Sequence, residues 1–270
     1  MTGQQKDIQN ALNRAISRFS YTTNTGEVFW APYLRNDLYI ETKQAIRGLG
    51  KTSPDEIKRS VDYIKANYPD LNGQQIRQKL IDGSLPDKSM NYKAIECSGF
   101  VYYVMSEVLE VVHGVRLSDM LAMPKEAVMN GALNYKEWQE KHKLTPEEIK
   151  NLPNDVPISW VVDNFNRKPA NLCNVRTLTS DFSSYAVSPE DAQIGDLVHM
   201  LDGADKRQHI AVIVNTENNS IELAHSSRKN PQYLGGVVRE TLPITRAGID
   251  CTKLSNPHQF VAIRRLRTTI

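Results

Sequence analysis

One cysteine and two histidines are the residues of this chain whose types and setting suit covalent chemistry. Cys97 stands in the block Glu96-Cys97-Ser98-Gly99-Phe100-Val101-Tyr102-Tyr103. Behind it Phe100, Val101, Val104, Val108, Leu109 and Val112 recur at helical spacing. Gly114 offers a left-handed C-cap, and His113 falls in the last turn, where the helix dipole favours a cation. The pattern predicts a buried helix with Cys97 in its first turn, facing unpaired backbone N–H groups that favour a thiolate. A free cysteine also serves as a small core hydrophobe, and the block alone leaves both readings open.

The histidines lie more than a hundred residues later. Gln208 to Val214 and Ile221 to Ser227 each read as strands rich in aliphatic and β-branched residues, with Asn215 to Asn219 between them as a hairpin loop. A five-residue loop pairs Val214 with Ser220, and counting back sets His209 directly opposite His225. Opposed residues share a face, with Cβ atoms roughly 5 Å apart. Two imidazoles side by side make poor use of a core face unless they do chemistry.

These blocks resemble the NlpC/P60 family of papain-like cysteine peptidases. ECSGFVYYV, QIGDLVHM, QHIAVIV, ELAHSS, GGVVRE and FVAIRRL follow one another in the family's order, covering about residues 91–112 and 190–267. The resemblance implies Cys97 as nucleophile, His209 as base and His225 as the residue that orients the base. It departs from the family in two places. Glu96 replaces the usual aspartate, and no Tyr-x-Trp-Gly-Gly block precedes the cysteine. The tyrosine that family members place near the substrate is therefore unassigned, and Tyr92, Tyr33, Trp30 and Ser98 are the candidates for substrate contact. No cofactor is implied.

Composition bounds the rest. With 270 residues, 40% of them hydrophobic and 24% charged, the chain has an ordinary globular balance, enough for one large domain or two small ones. A net charge of +2 is too small to argue for nucleic acid. Mild basicity suits an anionic polymer such as a cell wall. The three cysteines, Cys97, Cys173 and Cys251, cannot all pair, and nothing in their spacing supports a Cys173–Cys251 disulfide. Zinc would accept Cys97, His209 and His225 as ligands, but no close Cys-x-x-Cys or His-x-x-x-His pair anchors such a site. The polar, amphipathic start lacks the apolar core of a signal peptide, and no run reaches the roughly 20 apolar residues of a membrane span.

The elements around the three residues divide by pattern. Residues 4–19 carry Ile8, Leu12, Ala15, Ile16 and Phe19 on one stripe of an amphipathic helix. Phe29 to Tyr33 form an aromatic cluster of the kind that seals a core edge or binds substrate. Residues 36–49 read as a second helix. Ser53-Pro54-Asp55-Glu56 is a capping box opening a third, and Gly73 to Asp82 make a fourth. Residues 1–90 thus form a helical N-terminal extension, packing beside the core or binding a wall or partner. Residues 91–270 form the catalytic domain, with an insertion at about 115–190 that would shape the cleft rim. In that insertion Leu117 to Gly131 look helical and Thr145 to Glu148 repeat the capping pattern. His199 is the one rival base, read as structural; His113 and His142 read as surface residues. Arg264, Arg265 and Arg267 read as a solvated edge of the closing strand.

The expected architecture is α+β: a papain-like core of a nucleophile helix packed on an antiparallel sheet. The expected reaction is amide hydrolysis through a Cys-His-His triad. From the family resemblance the substrate is a peptidoglycan stem peptide cut beside D-glutamate and a diamino acid, in the cell envelope or outside the cell. Without a signal peptide, a cytoplasmic place or non-classical export stays open, and any inhibitor protein is unknown. An amidase, deamidase or acyltransferase acting on protein or lipid would use the same core. So would a binding protein that kept the scaffold without activity.

Overall fold

A computed structural model describes residues 2–34, 50–128, 145–165, 168–202, 207–217, 219–228, 235–245 and 248–268. The expected helix over 36–49, and His142, lie outside them.

The N-terminal elements follow the sequence signals closely. Helix α1 (Gly3–Ser17) buries Leu12, Ala15 and Ile16, and Phe19 just beyond it is also fully buried. The 1–90 region is less helical than expected, because Ser20–Thr22 (β1) and Val28–Trp30 (β2) pair into a short hairpin. Helix α2 (Pro54–Asn67) begins at the expected capping box: Ser53 accepts from the Glu56 N–H while Glu56 accepts from the Ser53 N–H. Helix α3 spans Gly73–Ile81 behind an Asn72–Gln75 box of the same kind.

Helix α4 (Cys97–His113) is the central rod. It ends at Gly114 in the left-handed region (φ 67°), where the Gly114 N–H bonds back to Glu110 as in an αL cap and the Val115 N–H to Leu109. Cys97, Phe100, Val101, Val104, Met105, Val108 and Leu109 are all buried, so the helix is covered on most of its circumference.

The insertion corrects one expectation. Helix α5 stops at Met120 (Leu117–Met120), Ala122–Pro124 (β3) pairs with Asp155–Pro157 (β4), and the chain turns helical again over 125–128, so the expected helix is interrupted. Pro124 cannot donate to a helix ladder, while Val156 gains a buried partner in Val128. Among the described residues, short helices α6 (Pro146–Lys150), α7 (Ile158–Phe165), α8 (Pro169–Leu172) and α9 (Val175–Thr179) follow. The Thr145–Glu148 box caps α6.

The sheet is antiparallel and curled, with seven strands: β5 (Ser184–Val187), β6 (Leu197–Asp202), β7 (Gln208–Glu217), β8 (Ser220–Ser227), β9 (Gly236–Thr245), β10 (Gly248–Ile249) and β11 (His258–Leu266). Their spatial order is β10-β9-β8-β7-β6-β11-β5. The closing strand β11 is therefore not an edge. Strand β5 covers it, and its arginines are engaged: Arg264 pairs with Asp181, and Arg265 forks onto both oxygens of Asp196. One face of the sheet carries Leu197, Ile210, Val212 and Ala224 into a core shared with α1, α2, α3 and α4. The other face carries Val198, Met200, Ala211, Ile213, Leu223 and Leu242 into a second core inside the curl. The chain is thus α+β, with a helix packed on an antiparallel sheet.

Candidate functional site

Cys97 is set in place by the two residues before it. The Ile95 N–H donates to the Pro32 carbonyl and the Glu96 N–H to the Gly50 carbonyl, while Ser226 Oγ donates to the Ile95 carbonyl at 2.7 Å. The chain entering α4 is therefore stitched on both sides, to the N-terminal region and to the end of β8. Glu96 does not cap the helix in the ordinary way. Its carboxylate turns aside, accepting from Ser98 Oγ at 2.7 Å and pairing with the buried Lys51 ammonium. Lys51 also donates to Ser98 Oγ and to the Cys173 carbonyl (2.6 Å). Glu96 thus goes together with a buried lysine from the N-terminal region, a partner that no spacing in the sequence singles out.

Strands β7 and β8 open towards this point. The hairpin differs from the expected one: β7 runs to Glu217, which pairs with Ser220, and the register shifts by one between Ile213 and Asn215. The tighter turn moves the register by three residues and the bulge takes one back. The net offset of two is even, so His209 and His225 keep a common face although they are not directly opposite. The ladder ends at Val212 and Ala224. Ile213 bonds on the β6 side, donating to the Asp196 carbonyl, so alternation aims the Ile210 N–H at the β8 side. There it meets the Cys97 sulfur, which the Ser98 N–H also approaches. Because Ile210 follows His209, the thiol sits against the His209 peptide.

His209 Nε2 lies 2.8 Å from His225 Nδ1, and His225 Nε2 lies 2.9 Å from Glu240 Oε2. Glu240 Oε1 accepts in turn from the Ser255 N–H (2.6 Å) and Ser255 Oγ (2.5 Å). The His209 ring is also stacked on His258, with centroids 4.5 Å apart. Since Nε2 of His209 is spent on His225, Nδ1 is the nitrogen left for a reacting group. The same geometry disfavours the zinc reading, because the two imidazoles face each other instead of converging on a point.

Electrostatics correct the expectation of a resting thiolate. Burial, with the Glu96 carboxylate behind it, pushes the Cys97 thiol up to about 12, against the smaller pull of Lys51 and the Ile210 and Ser98 N–H groups. Burial, then the His225 and His258 rings, hold His209 well below the ordinary imidazole value. The resting state therefore has a neutral thiol at Cys97 and a neutral imidazole at His209. Burial pulls the Glu240 carboxyl up, but hydrogen bonds from His225 and Ser255 prevail and bring it to about 2.

Glu240 was not found from the sequence, although a signal existed. In the Gly-Gly-Val-Val-Arg-Glu run, alternation puts Val238 and Glu240 on one face. Val238 is the residue that pairs with His225, which leaves Glu240 on its diagonal. The remaining candidates are placed differently. Ser98 is buried, and its hydroxyl is taken up by Glu96 and Lys51. Tyr92, in the left-handed region (φ 57°), packs in a satellite cluster with Leu34 and Ala94. Trp30 packs against the main core from β2. Tyr33 lies nearer the centre, its N–H on the Gly235 carbonyl beside Pro32, which contacts Ile95. His199 pairs with Ile210 while Met200 pairs with His209, so the two histidines point to opposite faces. Cys173 and Cys251 are buried free thiols. Among the described residues no helix is long and apolar enough to cross a membrane.

No family model, curated protein or solved structure matches the chain.

Proposed function

We propose that this chain is a cysteine amide hydrolase of the NlpC/P60 type, built on a papain-like core and cutting peptidoglycan stem peptides beside D-glutamate and a diamino acid. One observation carries the proposal: a cysteine at the first position of a buried helix lies against the peptide of a histidine whose far nitrogen is hydrogen-bonded to a second histidine. A core histidine pair with only a structural task has no need of a thiol at that place.

In this reading His209 Nδ1 takes the thiol proton as Cys97 Sγ attacks the carbonyl, since a neutral pair is the starting state. The Cys97 backbone N–H, unpaired at the helix start, faces the developing oxyanion. His209 then gives its proton to the leaving amine and, in the second half-reaction, activates water against the acyl-enzyme. His225 keeps the ring of His209 in place. The cell envelope follows as the place of action, because the substrate is there.

The test is incubation with purified muropeptides and mass spectrometry of the products. Wild-type protein, Cys173→Ala and Cys251→Ala are expected to release peptides ending in D-glutamate, and Cys97→Ala none. Cleavage by Cys97→Ala at the wild-type rate would remove the basis of the proposal. Hydrolysis only of a protein or lipid amide would keep the chemistry and change the substrate.

A further inference from the structure

We infer that Glu240 sets which nitrogen of His209 carries the proton, and thereby makes His209 a base towards Cys97. Four hydrogen-bonding groups form one chain, and the polarity of the first cannot change. The Ser255 backbone N–H is a fixed donor, and it points at Glu240 Oε1 from 2.6 Å, joined there by Ser255 Oγ at 2.5 Å. An ionised carboxylate has only acceptors to offer. Glu240 Oε2, 2.9 Å from His225 Nε2, therefore requires a proton on that nitrogen.

A neutral imidazole carries one N–H and one lone pair. With its proton on Nε2, His225 presents a lone pair at Nδ1. The nitrogen 2.8 Å away, His209 Nε2, must then be the donor. That fixes the proton of His209 on Nε2 and leaves Nδ1 with a lone pair, the form that can remove a proton from a thiol. Reversing any one link reverses all those after it. Were His209 protonated on Nδ1, it would present a donor to the thiol and could not act as its base.

Glu240 is in this account a positioning residue. It acts through two rings and touches no reacting atom. The catalytic consequence rests on the thiol-hydrolase reading, whereas the proton positions do not, so the two can fail separately.

Substitution by glutamine inverts the chain with little change of shape. In Glu240→Gln the Ser255 N–H still demands an oxygen, which turns the amide NH₂ towards His225. His225 must then accept at Nε2 and donate from Nδ1, and the proton of His209 moves to Nδ1. A glutamine at position 225 has the opposite effect. Its oxygen can accept from His209 Nε2 and its NH₂ can donate to Glu240, so His225→Gln preserves the polarity.

The experiment is nitrogen-15 NMR of the histidine side chains at about pH 8, above the ordinary imidazole range, with signals assigned by their loss in His209→Gln. Wild-type protein and His225→Gln should show His209 protonated on Nε2, and Glu240→Gln should show it protonated on Nδ1. Turnover of muropeptides by Glu240→Gln should fall by about 10²–10⁴-fold in kcat with KM little changed. A wild-type His209 protonated on Nδ1 overturns the inference, and that spectrum decides even if a variant fails to fold. An unchanged His209 tautomer in folded Glu240→Gln also overturns it. Expected tautomers in a protein that cuts no muropeptide would uphold the inference and count against the proposed substrate.

Discussion

At the residue scale, the chemistry of Cys97 depends on two opposed local fields. A helix start favours a thiolate, which is what the sequence block suggests. Burial and the neighbouring Glu96 carboxylate outweigh it and hold the thiol up to about 12. No pattern in the block announces that outcome, because desolvation depends on elements far away in the chain. The consequence can be measured. Alkylation of Cys97 by iodoacetamide should be slow at neutral pH and should rise about tenfold per pH unit well into the alkaline range. Hydrolysis should behave differently, since a neutral pair needs only an unprotonated His209. With His209 held well below the ordinary imidazole value by burial, His225 and His258, kcat/KM should stay level through neutrality and fall only below about pH 6.5. Stability should follow the same sign. Burial also lowers His258 and His199, so the unfolded chain binds protons before the folded one does. Their contribution is complete above about pH 6.5 and is lost as pH falls towards the folded values. An acid limb of kcat/KM centred above the ordinary imidazole value would contradict the neutral-pair reading.

At the element scale, the helix signals were read well and the hairpin only by parity. The Ser53 box, the stripe of α1 and the Gly114 cap of α4 are local features, and all three form as the spacing requires. Strand register is less local. The hairpin turn was expected too long, and the bulge after Ile213 has no marker in Ile213-Val214-Asn215. The two errors left an even offset, and an even offset keeps side chains on one face. The Lys51–Glu96 pair was not legible at all, because Lys51 belongs to a stretch whose chemistry is visible only once it lies beside α4. Gly99 permits that approach: a Cβ there would stand 2.6 Å from the Gly50 carbonyl oxygen. The pair is buried, and Lys51 alone serves Glu96, Ser98 and the Cys173 carbonyl. Lys51→Met should remove the buried cation that Glu96 pairs with and cost about 3–5 kcal/mol in denaturant unfolding. It should also slow alkylation of Cys97 further, since a cation that favours the thiolate is gone. Faster alkylation in a folded Lys51→Met would show that Lys51 does not act on the thiol.

At the scale of the whole molecule, the N-terminal region and helix α4 do not have separate cores. Leu12, Ile16 and Phe19 from the start of the chain, Ile57 and Ile64 from α2, and Phe100, Val104 and Val108 from α4 are buried in one cluster with Ile210 and Val212 of the sheet. The resemblance covers only the later part, which is why the sequence suggests a boundary near residue 90. Periodicity shows that a helix has an apolar face and does not show which surface will cover it. The join is close at Phe19, which is fully buried with its ring centroid 5.3 Å from that of Phe100, three residues beyond Cys97. Removing the ring should leave a cavity against the first turn of α4 and cost about 3–5 kcal/mol. If the core is shared as its contacts imply, unfolding in denaturant is a single transition, and Phe19→Ala moves the whole of it. Near-ultraviolet dichroism and the protection of Cys97 from alkylation should then be lost at the same denaturant concentration. Loosening the first turn should also lower turnover below the transition, because the Cys97 sulfur is held by N–H groups on two different elements, Ser98 in α4 and Ile210 in β7. Two separated transitions, with Cys97 still protected after the first, would mean that residues 1–90 fold as a unit of their own. Helix α4, which bears Cys97, would then be held without the N-terminal region.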